Sequence, residues 1–204
     1  MARKPVAFVI RHGTTVLNDK NAFRGMLDPE LDEAGVRDSH RAADFLSRQP
    51  IERIISSPLR RTIQTAEVLS GVLGGRCIEQ CRNLFPWQMG TEFYGEDKDE
   101  KADELERYVR HINKTPPNGE SLADFIERTG DFFEDQLQRP ILTAFVTHSS
   151  NIIALNDLIN GTAPQHPENA TVVKPGGVCA IYETDDGYEL EAILNAETKA
   201  EFGS

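Results

Sequence analysis

Cysteine is scarce in this chain: three residues, Cys77, Cys81 and Cys179, among 204. An odd count with no paired C-x-x-C clusters argues against a disulfide framework or a cysteine-based zinc site, and leaves the three as reduced packing residues. Long apolar runs are also missing. The stretch after the basic start Arg3-Lys4 is only Val6 to Ile10, too short for a signal peptide. Nothing approaches the roughly 20 apolar residues of a membrane-spanning helix, so a cytoplasmic location is the expectation. Positive charge is in deficit, with 22 Lys and Arg against 33 Asp and Glu and a net charge of −11. Such a chain is a poor partner for nucleic acid or an anionic membrane, although a local arginine cluster can still set the potential in one cleft. Internal repeats and low-complexity segments are absent.

What is present is an ordinary globular composition, 39% hydrophobic and 27% charged, in a chain long enough to bury a core without staples. The length fits one domain over residues 1–204, with an insertion at about 84–119. Val6 to Ile10 reads as a strand buried on both faces, ending in the polar turn Arg11-His12-Gly13-Thr14-Thr15. Glu33 to Arg48 reads as a helix with Val36, Ala43 and Leu46 in its apolar stripe. A short strand around Arg53-Ile54-Ile55 precedes a helix with Pro58 near its first turn and Ile63, Ala66, Leu69 and Leu73 on its core face. Arg76 to Glu79 is a third strand. Asp99 to Asn113 reads as an acidic amphipathic helix, and the charge run Asp97 to Arg110 is either its solvated face or a lid that shapes the substrate pocket. Ser121 with Asp124 resembles a capping pair, opening a helix that Pro140 terminates. Ile141 to Val146 is the next buried strand and runs into Thr147-His148-Ser149-Ser150 and a helix carrying Ile152, Leu155 and Ile159. Val178 to Tyr182 and Tyr188 to Leu194 form a hairpin turning at Asp185-Asp186-Gly187, and the tail after Leu194 is expected to be loosely held. Strands alternating with helices predict an α/β fold, a three-layer αβα sandwich with a largely parallel central sheet.

His12 and His148 each lie just past an apolar strand, where ligand sites form in open α/β sheets. If the strands are neighbours, both imidazoles face one crevice. Ser149 and Ser150 open a helix whose free N–H groups favour an anion, and Arg11 and Arg61 sit close in sequence to the same strand ends. A phosphoryl group suits such a cluster, because the guanidinium fork matches phosphate oxygens and does not titrate away. A neutral imidazole can attack phosphorus and form a covalent intermediate.

Three blocks, Arg11-His12-Gly13-Thr14, Ser56 to Ala66 and Thr147-His148-Ser149, resemble in order and spacing the signature of the histidine phosphatase superfamily, which includes the phosphoglycerate mutases and many phosphatases. The resemblance implies a phosphoglycerate mutase-like fold and a phosphatase acting on a small phosphorylated substrate, with no cofactor and no metal. By position, it makes His12 the nucleophile, places Arg11 and Arg61 on the phosphoryl oxygens, and lets His148 complete the pocket. Asn18 matches a phosphoryl-contacting position, and Arg24-Gly25 a loop near substrate. Arg60 falls out of register, as a surface residue. Relatives often carry a glutamate proton donor where this chain has Pro86. The acid here is Glu92, or comes from elsewhere with Glu120 a candidate, or is absent. His40, His111 and His166 lack matching context and read as surface or packing residues, and Trp87 as a packing residue. Two alternatives stand beside the phosphatase: a mutase-type phosphotransferase, and a phosphate-binding protein with weak or lost catalysis.

Overall fold

The computed structural model describes residues 3–18, 20–162 and 173–196. Its sheet has six strands: β1 (Ala7–Arg11), β2 (Arg53–Ser56), β3 (Ile78–Gln80), β4 (Thr143–Thr147), β5 (Val173–Thr184) and β6 (Gly187–Ala196), in the order β3-β2-β4-β1-β5-β6. The strands β3, β2, β4 and β1 run parallel, while β5 is antiparallel to β1 and β6 to β5. Every residue of β1 and β4 is buried. That accounts for their continuous apolar character, since a strand covered on both faces has no polar side.

Side chains alternate across the sheet. Phe8 and Ile10 pack with Ala42, Ala43 and Leu46 of α1 (Glu33–Leu46) and Ala66 and Leu69 of α2 (Arg60–Val72). Ala7 and Val9 face the other way, against Phe132 and Phe133 of α4 (Leu122–Leu137) and Ile152 and Leu155 of α5 (Ser149–Asn160). The result is the expected three-layer α/β arrangement. Residues 84–119 carry α3 (Lys98–Arg110), and Trp87, Phe93, Leu105 and Val109 pack with Leu122, Phe125 and Ala154 into a third cluster. No helix among the described residues is long and apolar enough to cross a membrane.

Several local expectations are corrected. Val36 points outward at 42% exposure, and α1 instead buries Gly35, Ser39, Ala42, Ala43 and Leu46. Small residues form this stripe because the helix must approach the loop after β1 closely. Pro58 lies before the N-cap Leu59 rather than inside α2. The buried face of α2 is Arg61, Thr62, Thr65, Ala66 and Leu69, with Ile63 only half-buried. The third strand is shifted to Ile78–Gln80. The hairpin strands are longer than their apolar cores suggest, and β6 continues to Ala196, past the expected end of order. Strand β5 runs through Lys174-Pro175-Gly176-Gly177 by way of a register shift between Val173 and Val178. The hairpin turn is Asp185-Asp186, with Gly187 already paired to Thr184. The packing role fits Cys179, whose thiol burial pushes up to about 12; it does not fit Cys77, which is exposed between α2 and β3. The Ser121 cap forms as expected: the Asp124 N–H donates to its hydroxyl at 3.1 Å, and the hydroxyl donates to the Asp124 carboxylate at 2.7 Å. His40 and His111 are exposed; His166 and the tail beyond Ala196 lie outside the described residues.

Candidate active site

Strand register brings the two histidines together. Arg11 of β1 pairs with Thr147 of β4, so the next residue on each parallel strand, His12 and His148, leaves the sheet at the same edge. The His12 N–H donates to the Thr147 carbonyl at 3.0 Å, and the two ring centroids are 5.3 Å apart, edge to face. Both side chains are buried, at 1% and 3% exposure.

The imidazole of His12 is held at both nitrogens. Its Nδ1 lies 2.7 Å from the Gly13 carbonyl oxygen. A carbonyl only accepts, so Nδ1 carries the proton and Nε2 the lone pair. Arg61 Nε then donates to His12 Nε2 at 3.3 Å. The Gly13 loop is itself anchored: its N–H donates to Thr65 Oγ1 at 3.1 Å, and the Thr65 hydroxyl donates to the Arg61 carbonyl at 2.8 Å. Gly13 and Gly35 are in main-chain contact, because a Cβ on Gly13 would lie 2.2 Å from the Gly35 oxygen. The His12 carbonyl accepts from the N–H of Gly176 at 3.2 Å. Gly176 adopts φ +69°, where a Cβ would meet Asp38 at 2.7 Å.

Three guanidiniums surround this ring. Arg61 is 1% exposed, and its terminal nitrogens donate to the carbonyls of Leu27 at 2.6 Å and Gly25 at 3.0 Å. Burial first, and the Arg24 charge second, push its pKa down to about 9, which leaves it charged at neutral pH. Arg24 is half-buried, and its own pKa is lowered by burial. Arg11 donates to the Val173 carbonyl at 2.7 Å. Burial, and then the charges of Arg61, Arg24 and Arg11, hold His12 well below its ordinary value. Burial is likewise the first cause of the lowering at His148, followed by Arg61, His12, Arg24 and Arg11. Both rings are therefore neutral at pH 7. His148 Nε2 lies 2.9 Å from the Ser57 hydroxyl, while its Nδ1 is buried with no hydrogen-bond partner among the described residues. Such an atom is where a ligand oxygen gains most.

The other anticipated residues are placed as follows. Asn18 closes a turn, its Oδ1 accepting from the Thr15 N–H at 2.9 Å and the Thr15 hydroxyl at 3.0 Å. Gly25 adopts φ +45° against the ring of Tyr94, leaving no room for a side chain. Ser149 is half-buried in the first turn of α5, next to His148. Arg60 is exposed and pairs with Glu30. Glu92 is half-buried, and its Oε2 has no hydrogen-bond partner among the described residues. Glu120 is engaged as an acceptor, from Arg128 at 2.7 Å and the Gln88 N–H at 3.0 Å. Arg128 also donates to the carbonyls of Asn83, Phe85 and Pro86. The run through Pro86 is thus latched from below, and Glu120 serves that latch. Ser57, Thr65 and Gly35 were not singled out individually in the sequence. The available signal was the polar stripe Arg61, Thr62, Thr65 on a helix face that ought to be apolar.

The chain matches the histidine phosphatase superfamily (branch 1) over residues 7–196. A 2,3-bisphosphoglycerate-dependent phosphoglycerate mutase of Xanthobacter autotrophicus is 26% identical over 175 residues, covering 78% of this chain and 83% of the mutase. One from Clavibacter sepedonicus is 25% identical across 92% of this chain and 88% of its own. Among solved structures, a mycobacterial glucosyl-3-phosphoglycerate phosphatase in complex with VO3 superposes with a TM-score of 0.78 at 22% identity, over 96% of this chain and 100% of the phosphatase. The α-ribazole phosphatase of Shigella flexneri gives 0.77 at 19% identity, over 93% and 95%. At such identities these structures speak for the fold. With the match spanning every described strand and helix, the chain belongs to the histidine phosphatase superfamily, whose enzymes are phosphatases and mutases.

Proposed function

We propose that this protein is a phosphomonoester hydrolase working through a phosphohistidine on His12. The observation that supports the reading is the state of that ring: Nδ1 tied to the Gly13 carbonyl, which leaves the lone pair on Nε2, where Arg61 Nε donates to it at 3.3 Å. Nε2 attacks phosphorus in line. The N–P bond forms as the P–O ester bond breaks, and the alcohol departs. Water then attacks phosphorus, the N–P bond breaks, and inorganic phosphate is released. Arg11, Arg24 and Arg61 bind the phosphoryl oxygens and stabilise charge that gathers in the transition state. His148 adds its Nδ1, which has no partner among the described residues, and Asn18, the Gly25 main chain and Ser149 complete the pocket. The guanidiniums supply the positive charge that a metal provides elsewhere. The leaving alcohol takes its proton from Glu92, whose buried Oε2 has no other partner among the described residues, and residues 84–119 shape the substrate end.

The phosphoglycerate mutases among the sequence relatives favour one second reading, in which the same intermediate re-phosphorylates its product instead of meeting water. Hydrolysis of p-nitrophenyl phosphate by wild type and His12→Ala, with EDTA present, tests the shared chemistry; equal rates would end both readings. Incubation with 2,3-bisphosphoglycerate and 3-phosphoglycerate separates them, because a mutase yields the 2-isomer and a hydrolase yields free phosphate.

A further inference from the structure

The arginine that faces His12 is held by a loop, and that loop is held by the 84–119 segment. Residues 21–25 and 95–98 are stitched together along their main chains. Phe23 N–H donates to Glu96 O at 3.0 Å, Gly95 N–H to Phe23 O at 2.8 Å, and Lys98 N–H to Asn21 O at 3.0 Å. Ala22 bridges Asp97, and the Asn21 side-chain amide donates to Asp99 at 3.0 Å. Tyr94 sits at the head of this seam. Its ring lies so close to Gly25 that a Cβ there would be 2.0 Å from Tyr94 Cε1. The two carbonyls that hold the terminal nitrogens of Arg61 belong to Gly25 and Leu27, on either side of Met26. The chain of contact therefore runs from Tyr94 to the turn Gly25-Met26-Leu27, from that turn to the Arg61 guanidinium, and from Arg61 Nε to His12 Nε2.

The geometry points to Tyr94 as a positioning residue that orients Arg61 toward His12 through the Gly25–Leu27 turn. A buried guanidinium has five donors in a rigid plane. Where two main-chain carbonyls fix its terminal nitrogens, the direction of its Nε–H follows from the position of the turn. The ring defines that position by its contact with a glycine in the left-handed region. A phenylalanine keeps that contact, and an alanine loses it. This inference rests on the reading of His12 and Arg61 as the reacting pair, but its central measurement does not need turnover.

The groups facing His12 are Arg61, Arg24, Arg11 and the His148 ring. Of the charges, Arg61 acts most strongly. Its retreat lets the His12 pKa rise toward 6.5, while a residue that merely supports the fold would leave that titration alone. NMR titration of His12 in wild type, Tyr94→Ala, Arg61→Ala and the double variant forms a cycle, with Tyr94→Phe as the variant that keeps the ring. Tyr94→Ala is expected to raise the His12 pKa by about half a unit and to weaken inhibition by inorganic phosphate about tenfold, while Tyr94→Phe stays near wild type in both. In the Arg61→Ala background, Tyr94→Ala is expected to add nothing. An unchanged His12 titration in Tyr94→Ala, or an equal shift with and without Arg61, overturns the inference. If the cycle behaves as stated while no phosphoester is hydrolysed, the positioning role stands and the hydrolase reading falls.

Discussion

Replacing Gly35 by alanine sets two effects of opposite sign against each other. Alanine is favoured over glycine inside a helix by up to about 1 kcal/mol, so on α1 alone the change stabilises. The new methyl carbon, however, would lie 2.0 Å from the Thr14 carbonyl oxygen, with the Thr14 nitrogen at 2.8 Å and its carbonyl carbon at 2.9 Å. These are main-chain atoms, and Thr14 is fixed to Asp38 through its N–H at 3.2 Å and its hydroxyl at 2.6 Å. Relief needs a shift of about 1 Å between helix and loop, and overpacking of this kind costs about 1–3 kcal/mol. The net expectation is a loss of about 0–2 kcal/mol in urea unfolding. Activity should suffer more than stability, because the same loop carries the Gly13 carbonyl that sets the His12 tautomer. A displacement of about 1 Å at a reacting group costs about 10²-fold, so kcat/KM for p-nitrophenyl phosphate should fall by that order while the fold persists. A Gly35→Ala protein that is about 1 kcal/mol more stable and fully active would refute the idea that close approach of α1 orients the nucleophile.

Stability should also respond to pH. Both histidines have folded pKa values below the ordinary one, chiefly through burial and next through arginine charge. The unfolded chain therefore binds protons that the folded chain refuses. Their stabilising contribution is fully present above about pH 6.5 and is lost as pH falls through that value toward the folded pKa values, with a slope of at most about 1.4 kcal/mol per pH unit for each ring; denaturant unfolding that is flat between about pH 7.5 and 5.5 contradicts this. If Glu92 protonates the leaving group, Glu92→Gln should slow hydrolysis of alkyl phosphates by about 10²–10⁴-fold and spare p-nitrophenyl phosphate, and an equal effect on both classes removes Glu92 from that role.

How much of this was legible in the sequence follows from what each residue does. The two buried strands and the histidines just beyond them were readable, because a strand covered on both faces is apolar throughout and then breaks sharply into Arg-His-Gly or Thr-His-Ser. The layers followed from strand–helix alternation. The stripe on α1 was misread because an apolar criterion selects Val36, whereas contact with the Gly13–Thr14 loop demands Gly35 on the inner face, where Ser39 bonds to Thr65. Strand β5 looked shorter than it is because Pro175-Gly176-Gly177 reads as a breaker, although a register shift lets the chain pass and brings the Gly176 N–H to His12. Glu120 resembles a spare acid in the sequence, but Arg128 of α4, eight residues after it, is its partner. Tyr94 carried no sequence signal at all. Its importance arises from a contact with Gly25 that only the folded chain creates.

The seam between residues 21–25 and 95–98 constrains how this scaffold can be altered. The segment from 84 to 119 has its own apolar cluster around Trp87, Phe93 and Leu105, which makes it look exchangeable for a different specificity element. Yet the same segment props up the turn whose carbonyls grip Arg61. A transplant at this place would swap ligand preference and guanidinium support in one stroke, and a chimera that omits an aromatic at position 94 would inherit a new pocket wall with a slack arginine behind it.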